Sequence, residues 1–335
     1  MTENETEFAV GESIARPASP ELAARRAWRA RRMALERHSQ ASTPDGPRRD
    51  IGRRIFSRVL RRTGRAMKGV GLHRPFARAA RRLRLAEITL SFARLPPAFD
   101  GYRILHLSDP HFDGNAGLGE AAAALVRGLA VDLCAITGDF RFAHRGPFTE
   151  RGVLEDVALL RDAISARDGV VATLGNHDPH ELLEPLEELG VRVLVNEGMA
   201  LRRAGGRLWI TGTDDVYRFY TEAARAALAA FPAGEGDFGI ALVHSPDLAV
   251  AAAAAKYDLY LTGHTHAGQI CFPWGAPVVT HLRCEKSLAR GLWRVGGLIG
   301  HTSPGLGTSA LPIRLFCPGE ATVLTLRRDA TGAAQ

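Results

Sequence analysis

From about residue 86 the chain is built of short apolar runs of strand length, separated by Ala- and Leu-rich stretches that favour helix. Such runs stand at 104–107, 131–137, 170–174, 239–243 and 257–262. Their alternation with helical stretches predicts an α/β domain with helices covering sheets. Before residue 86 the pattern is different. "ELAARRAWRARRMALERH", residues 21–38, favours an Arg-rich helix, and a break containing Pro, Gly and Ser follows at 40–50. In "IGRRIFSRVLRRTGRAM", residues 51–67, a helical wheel puts Ile51, Ile55, Phe56, Val59, Leu60 and Met67 on one half. Arg53, Arg54, Arg58, Arg61 and Arg65 fill the other, with Arg62 at the edge, so the segment is amphipathic.

Composition sharpens this division. Of 335 residues, 46% are hydrophobic and 24% charged, as in a globular protein rather than a disordered one. The net charge of +7 hides an asymmetry. Residues 1–85 hold 21 basic and 8 acidic residues, a net of +13, and the rest carries −6. The chain therefore divides into a basic, partly disordered arm (1–85), a body (86–328) and a short tail (329–335). The arm is expected to meet an anionic membrane surface through residues 21–85; packing on its own body with a solvated Arg face is a second reading. Nucleic acid is a third, disfavoured by the lack of interleaved aromatics for base stacking. No apolar run reaches membrane-spanning length, and without an apolar stretch behind its charges the N-terminus is not expected to act as a secretory signal. Cys134, Cys271, Cys284 and Cys317 include no C-x-x-C pair, so reduced thiols are expected. The expected location is cytoplasmic, peripheral at the inner membrane surface.

Five of the apolar runs end alike. The first leads into Asp109-Pro110-His111, the second into Gly138-Asp139 and the third into Gly175-Asn176-His177-Asp178. The fourth ends in His244 and the fifth in Gly263-His264-Thr265-His266. In open α/β folds the carboxyl ends of strands gather on one edge, so these side chains are expected to converge. One His after a strand is usually a packed or surface residue. Five endings drawn from Asp, Asn and His are not explained by packing, because burying such groups unpaired costs several kcal/mol each, roughly. Carboxylate, amide and imidazole donors without Cys suit Mn, Fe or Zn. They are too many for one ion and fit two, sharing a carboxylate, which together clamp a phosphoryl group and activate water.

The order D-x-H, G-D, G-N-H-D, H, G-H-T-H resembles the calcineurin-like metallophosphoesterases over residues 86–328. "LPPAFDGYRILHLSDPHFDG", "GHTHAGQICFP" and "GLGTSALPIRLFCP" are similar to its bacterial membrane- or wall-associated phosphodiesterase branch, which includes UDP-2,3-diacylglucosamine hydrolases. The resemblance implies a four-layer αββα sandwich with its metal site at strand C-terminal ends. It implies two divalent metal ions, Mn first and Fe or Zn next. Asp109, His111 and His266 would hold one, and Asn176, His244 and His264 the other, with Asp139 bridging. His177 would protonate the leaving oxygen, oriented by Asp178 or a nearby acid. Arg141 and Gln269 are candidates for substrate binding; Arg141 equally suits capping a turn. Arg283, Lys286 and Arg290 are read as solvated charge. His106 is expected in the core, and His144, His180, His281 and His301 at the surface or behind the ligands. Pro110 and the pair Phe140-Arg141 depart from the family pattern without removing a ligand.

The implied activity is hydrolysis of a phosphodiester or pyrophosphate bond. A membrane-surface, lipid-linked substrate such as UDP-2,3-diacylglucosamine, in lipid A biosynthesis, is the leading expectation. A nuclease or generic phosphodiesterase is the alternative, and a non-catalytic metal-binding scaffold the alternative of another class. The complete ligand set argues against the scaffold.

Overall fold

The computed structural model describes residues 19–41, 62–67, 69–143, 152–234, 236–277 and 284–329. The amphipathic segment at 51–61 and the side chains of His144, His281 and Arg283 lie outside the described residues. In chain order the helices are α1 (Ser19–Ala41), α2 (His73–Ala80), α3 (Leu118–Val126), α4 (Val153–Ala163), α5 (Leu183–Glu188), α6 (Glu222–Ala229) and α7 (Ala249–Ala254). The strands are β1 (Arg84–Phe92), β2 (Arg103–Leu107), β3 (Ala130–Val131), β4 (Leu133–Thr137), β5 (Ser165–Ala166), β6 (Val170–Thr173) and β7 (Val191–Val193). They continue with β8 (Glu197–Arg203), β9 (Gly206–Gly212), β10 (Asp237–Leu242), β11 (Leu259–Thr262), β12 (Gly291–Val295), β13 (Leu298–Thr302) and β14 (Glu320–Arg328).

Two six-stranded sheets form the body, ordered β1-β14-β2-β4-β6-β7 and β12-β13-β11-β10-β9-β8. In the first, β2, β4, β6 and β7 run parallel. In the second, β9, β10, β11 and β13 do. Strands that are buried on both faces are mostly apolar, as β4 and β11 are up to their terminal threonines, which suits a parallel arrangement with helices over the outer faces. Ile104, Leu133, Val171, Ile210, Ile240, Leu261 and Leu324 meet between the two sheets. Each such side chain contributes about 1.5–3 kcal/mol by leaving water. On the outer face of the first sheet Leu105, Ile136 and Val170 pack under α3, α4 and α5. On the outer face of the second, Ala241 and Tyr260 pack under α6 and α7. The layers are therefore helix, sheet, sheet, helix, as the family resemblance implied, with helices covering sheets as the alternating pattern predicted. The C-terminal ends of β2, β4 and β6 meet those of β10 and β11 along one edge.

The first helix of the arm follows the second reading, packing on the body. No described helix is long and apolar enough to cross a membrane. Strong helix formers carry α1, with Arg32 and Glu36 paired at i,i+4. It docks on the body through Arg25, Trp28, Arg32 and Glu36, a stripe at helical spacing that is mostly charged. Arg25 donates to Glu187 (2.9 Å), Glu197 (2.5 Å) and the Val193 carbonyl (2.7 Å). Trp28 Nε1 donates to Asp214 (2.7 Å). Arg32, only 1% exposed, pairs with Asp214. These guanidinium groups are thus committed to body carboxylates, and the arm's arginines do not all face a partner as their charge count implied. An apolar-face criterion misses such a helix, because its contacts with the body are mostly ion pairs and hydrogen bonds.

Candidate active site

Three of the strand-end turns place their donors by the same backbone device. Asp109, His111, Asp139, His264 and His266 all adopt left-handed backbone, with φ between 45° and 68°. Such conformations in non-glycine residues cost on the order of 1–3 kcal/mol each and persist only where the surroundings over-determine them. Here they do. The loops after β2 and β4 run on as a ladder, with Asp109 N bonded to Gly138 O (2.9 Å) and His111 N to Asp139 O (3.0 Å). The turn after β11 is sewn to the other sheet by His264 N donating to the Asp109 carboxylate (3.0 Å). Gly263 must lack a side chain, because a Cβ there would overlap Ser108 Oγ and the Asp109 carboxylate. Gly138, at φ 82°, presses against the Gly175 backbone for the same reason.

The donors converge in two overlapping clusters. Asp109, His111 and His266 form one, with His111 Nε2 3.2 Å from His266 Nε2 and His266 Nε2 3.6 Å from Asp109. Asp139, His244 and His264 form the other, with His244 Nε2 3.0 Å from Asn176 Oδ1 and 3.2 Å from His264 Nδ1. Asp139 joins them. Its Oδ2 lies 3.6 Å from His111 and 3.4 Å from His244. His177 closes a third group with His111 and Asp139, its Nε2 3.8 Å from Asp139.

Backbone carbonyls fix which ring nitrogen faces inward. A carbonyl only accepts, so the Nδ1 of His111 donates to Arg141 O (2.7 Å) and that of His244 to Thr137 O (2.7 Å). Their Nε2 lone pairs are then turned to the centre, the tautomer a metal requires. His177 Nδ1 likewise donates to Phe142 O (2.6 Å).

Electrostatics agree with a cationic occupant. Burial alone raises the Asp139 carboxyl, yet the imidazoles of His244, His177 and His111 hold it well below the usual range. Burial works against a charged His244, but Asp139, Asp109 and Asp215 outweigh it and raise it well above the ordinary value. Burial, then His111, lowers His266 well below its ordinary value. Buried carboxylates drawing a proton onto an inward-facing imidazole create a place that a divalent ion fills by displacing that proton. The donor set of oxygens and imidazoles fits such ions.

Two expectations are corrected. Asp178 does not supply the bond that orients His177. Its carboxylate accepts from the amides of Asp139 (2.7 Å), Gly175 (2.8 Å) and Arg141 (3.1 Å), and it braces the two turns against each other. Burial and the Asp139 charge push it up to about 6. The Phe142 carbonyl orients His177 instead. Gln269 has both amide ends on backbone, donating to Leu311 O (2.9 Å) and accepting from Ser309 N (2.7 Å), so it clamps the 309–311 loop. Arg141 is buried beside His111, its amide and carbonyl both engaged as above.

A chain of polar groups behind Asp109 was not foreseen. Ser108 donates to Asp109 (2.6 Å), Thr137 to Ser108 (2.7 Å), and His106 Nε2 lies 3.1 Å from Thr137. His106 Nδ1 meets His301 Nδ1 at 2.9 Å. With Thr137 donating onward, His106 Nε2–H donates to it, so His106 Nδ1 accepts from His301. Both rings are then neutral. Burial holds His106 well below its ordinary value and brings His301 to about 4. His301 and His180 are buried rather than at the surface, and His180 Nδ1 pairs with Glu36 of α1 (2.7 Å).

The His106–His301 pair yields a pH prediction. A base whose folded pKa lies below its unfolded value stabilises fully above the unfolded pKa and loses that stability as pH falls. Thermal stability is therefore expected to fall from pH 6.5 toward 4, with His301 alone accounting for about 3 kcal/mol at most. Melting temperatures of wild type and His301→Gln across that range check it; the variant's profile should be flatter.

The sequence matches the family model "Calcineurin-like phosphoesterase" over residues 102–268. The uncharacterized metallophosphoesterase YkoQ of Bacillus subtilis is 30% identical over 234 residues, 68% of this chain and 84% of that protein. The uncharacterized metallophosphoesterase YkuE of the same organism is 28% identical over 257 residues, covering 72% and 84%. The phosphodiesterase YaeI of Escherichia coli is 27% identical over 241 residues, covering 67% and 82%.

Proposed function

This chain belongs to the calcineurin-like phosphoesterase family and is a metal-dependent phosphoester hydrolase, and on that premise we propose that its two clusters hold a pair of divalent ions acting on a phosphodiester or pyrophosphate. The observation that carries this is Asp139, whose one oxygen sits within 3.6 Å of inward-facing nitrogens from both clusters. Asp109, His111 and His266 would hold one ion, Asn176, His244 and His264 the other, and Asp139 both. Bound there, the ions supply Lewis acidity and a water activated as nucleophile at neutral pH, with Mn the first candidate. The protein's own residues do the rest. His177, its ring aimed by the Phe142 carbonyl, donates a proton from Nε2 to the departing oxygen. Arg141, in the turn after β4, would meet the phosphoryl oxygens.

A lipid-linked substrate at a membrane surface, with UDP-2,3-diacylglucosamine as the leading case, is favoured by the rim of the site. Past His266 the chain forms a turn whose Phe272 and Trp274 rings stack at 4.7 Å, with Trp274 75% exposed. Ile270 bridges to Leu315, which is exposed together with Phe316. Exposed aromatics beside a polar cleft suit a bilayer interface or acyl chains. Cytoplasmic residence at the inner membrane surface is part of this proposal.

The test is hydrolysis of UDP-2,3-diacylglucosamine by metal-stripped protein resupplied with Mn. Mn-dependent release of UMP is expected, with Trp274→Ser slowing lipid turnover roughly tenfold and sparing a soluble aryl phosphodiester. Turnover of the aryl ester alone would discard the lipid and keep the chemistry. Salt-sensitive cleavage of DNA or RNA would replace it with a nuclease.

A further inference from the structure

Among the described residues Arg32 is the largest of the fully buried side chains, and it comes from α1, which lies outside the matched stretch of 102–268. Its guanidinium is enclosed by groups that belong to the site's two flanking loops. Nη2 donates to the Asp178 carbonyl at 2.7 Å and reaches the Gly175 carbonyl at 3.3 Å. Those carbonyls bound the turn that carries Asn176 and His177. Nη1 pairs with Asp214, and the plane lies over the Phe219 ring at 3.7 Å from its centroid. Between these two residues Asp215 accepts from the amides of Tyr217 (3.0 Å) and Arg218 (2.7 Å). The same loop sets the Tyr217 ring 4.1 Å from the His264 ring. One turn further along α1, Glu36 accepts from Arg32 Nε (3.0 Å) and from His180 N (2.9 Å), just past the turn.

We infer that α1 is a positioning element of the active site: Arg32 fixes the Gly175–Asp178 turn that presents Asn176 and His177 and ties it to the Asp214–Phe219 loop that sets Tyr217 against His264. A planar fork suits this task, because it meets a carboxylate, two carbonyls and a ring face at once, as an ammonium does not. Burying a charge of this kind for packing alone is unfavourable against an apolar residue of similar volume, so its placement calls for another role. A displacement of about 1 Å at a reacting group costs up to about 10²-fold in rate. The inference rests on the roles of Asn176 and His177 proposed above.

Arg25 provides the control, since it anchors the same helix to Glu187, Glu197 and Val193, away from the turn. The experiment compares full-length wild type, Arg32→Met, Arg32→Lys, Arg25→Met and His177→Ala. Turnover of bis(p-nitrophenyl) phosphate with Mn and melting temperature are read for each, well below melting. Arg32→Met is expected to lower kcat about 10- to 100-fold with KM changed less than about threefold. Arg32→Lys should recover part of that loss. Arg25→Met should lower the melting temperature and keep kcat within about twofold. If Arg32→Met does not fold, Arg32→Lys against Arg25→Met decides. Equal kcat in variants that share a lowered melting temperature would overturn the inference and leave the site reading intact. His177→Ala is read on a diester with an alkyl leaving group as well, since p-nitrophenolate departs without a proton, and an unchanged kcat on that alkyl ester would overturn both.

Discussion

Asp139→Asn should abolish phosphoester hydrolysis, by at least about 10³-fold in kcat/KM, equivalent to ~4 kcal/mol of transition-state stabilisation. The substitution keeps size and shape and removes one negative charge from the point where the clusters meet. Asp139 Oδ2 faces His111, His177 and His244, while Oδ1 accepts from His177 N at 2.8 Å. An amide retains at most one acceptor and places its NH₂ among inward-facing lone pairs, where it repels a cation. Bound metal, measured by elemental analysis after equilibration with Mn, should fall together with activity. The fold should survive, since the carboxyl end of β4 is also held by the amide and carbonyl of Asp139 through Asp178 and His111. A variant that keeps full metal content and more than a tenth of wild-type activity would refute the bridging role.

His177→Ala should separate chemistry from metal binding. Its Nε2 is 3.8 Å from Asp139, and its Nδ1 is committed to the Phe142 carbonyl, so the ring is aimed at the centre from the side. Loss of a general acid costs typically about 10²–10⁴-fold, and the cost depends on how badly the leaving group needs a proton. Metal content should stay at the wild-type level. Turnover of an ester with an alkyl or sugar leaving group should fall by the full amount. A p-nitrophenolate leaving group, stable as an anion, should suffer at least about tenfold less. Equal losses on both esters would assign His177 to binding instead of proton transfer.

The ligand types and their order were legible along the chain because both signals are local. A strand buried on both faces writes an apolar run, and a donor that has no reason to follow it stands out. Five repeats of that event, at β2, β4, β6, β10 and β11, were enough to infer a shared edge. The layer order was implied by the family resemblance and not by the periodicity. Local signals do not carry orientation. That five donors sit in left-handed backbone depends on ladders between loops, such as Asp109 N to Gly138 O, whose partners are 29 residues apart. Which nitrogen of His111 or His244 faces inward depends on carbonyls supplied by Arg141 and Thr137. Asp178 and Gln269, polar residues beside the motifs, were read as chemistry and turned out to brace backbone, because the number of amides converging on a carboxylate or an amide is a tertiary fact. The arm shows the limit most plainly. Arginines spaced along a helix look alike whether they meet lipid, water or buried acids. Only the packed structure sets Arg25 against Glu187 and Glu197 and buries Arg32 beside Asp214, since a charge leaves water only where folded partners replace its solvation.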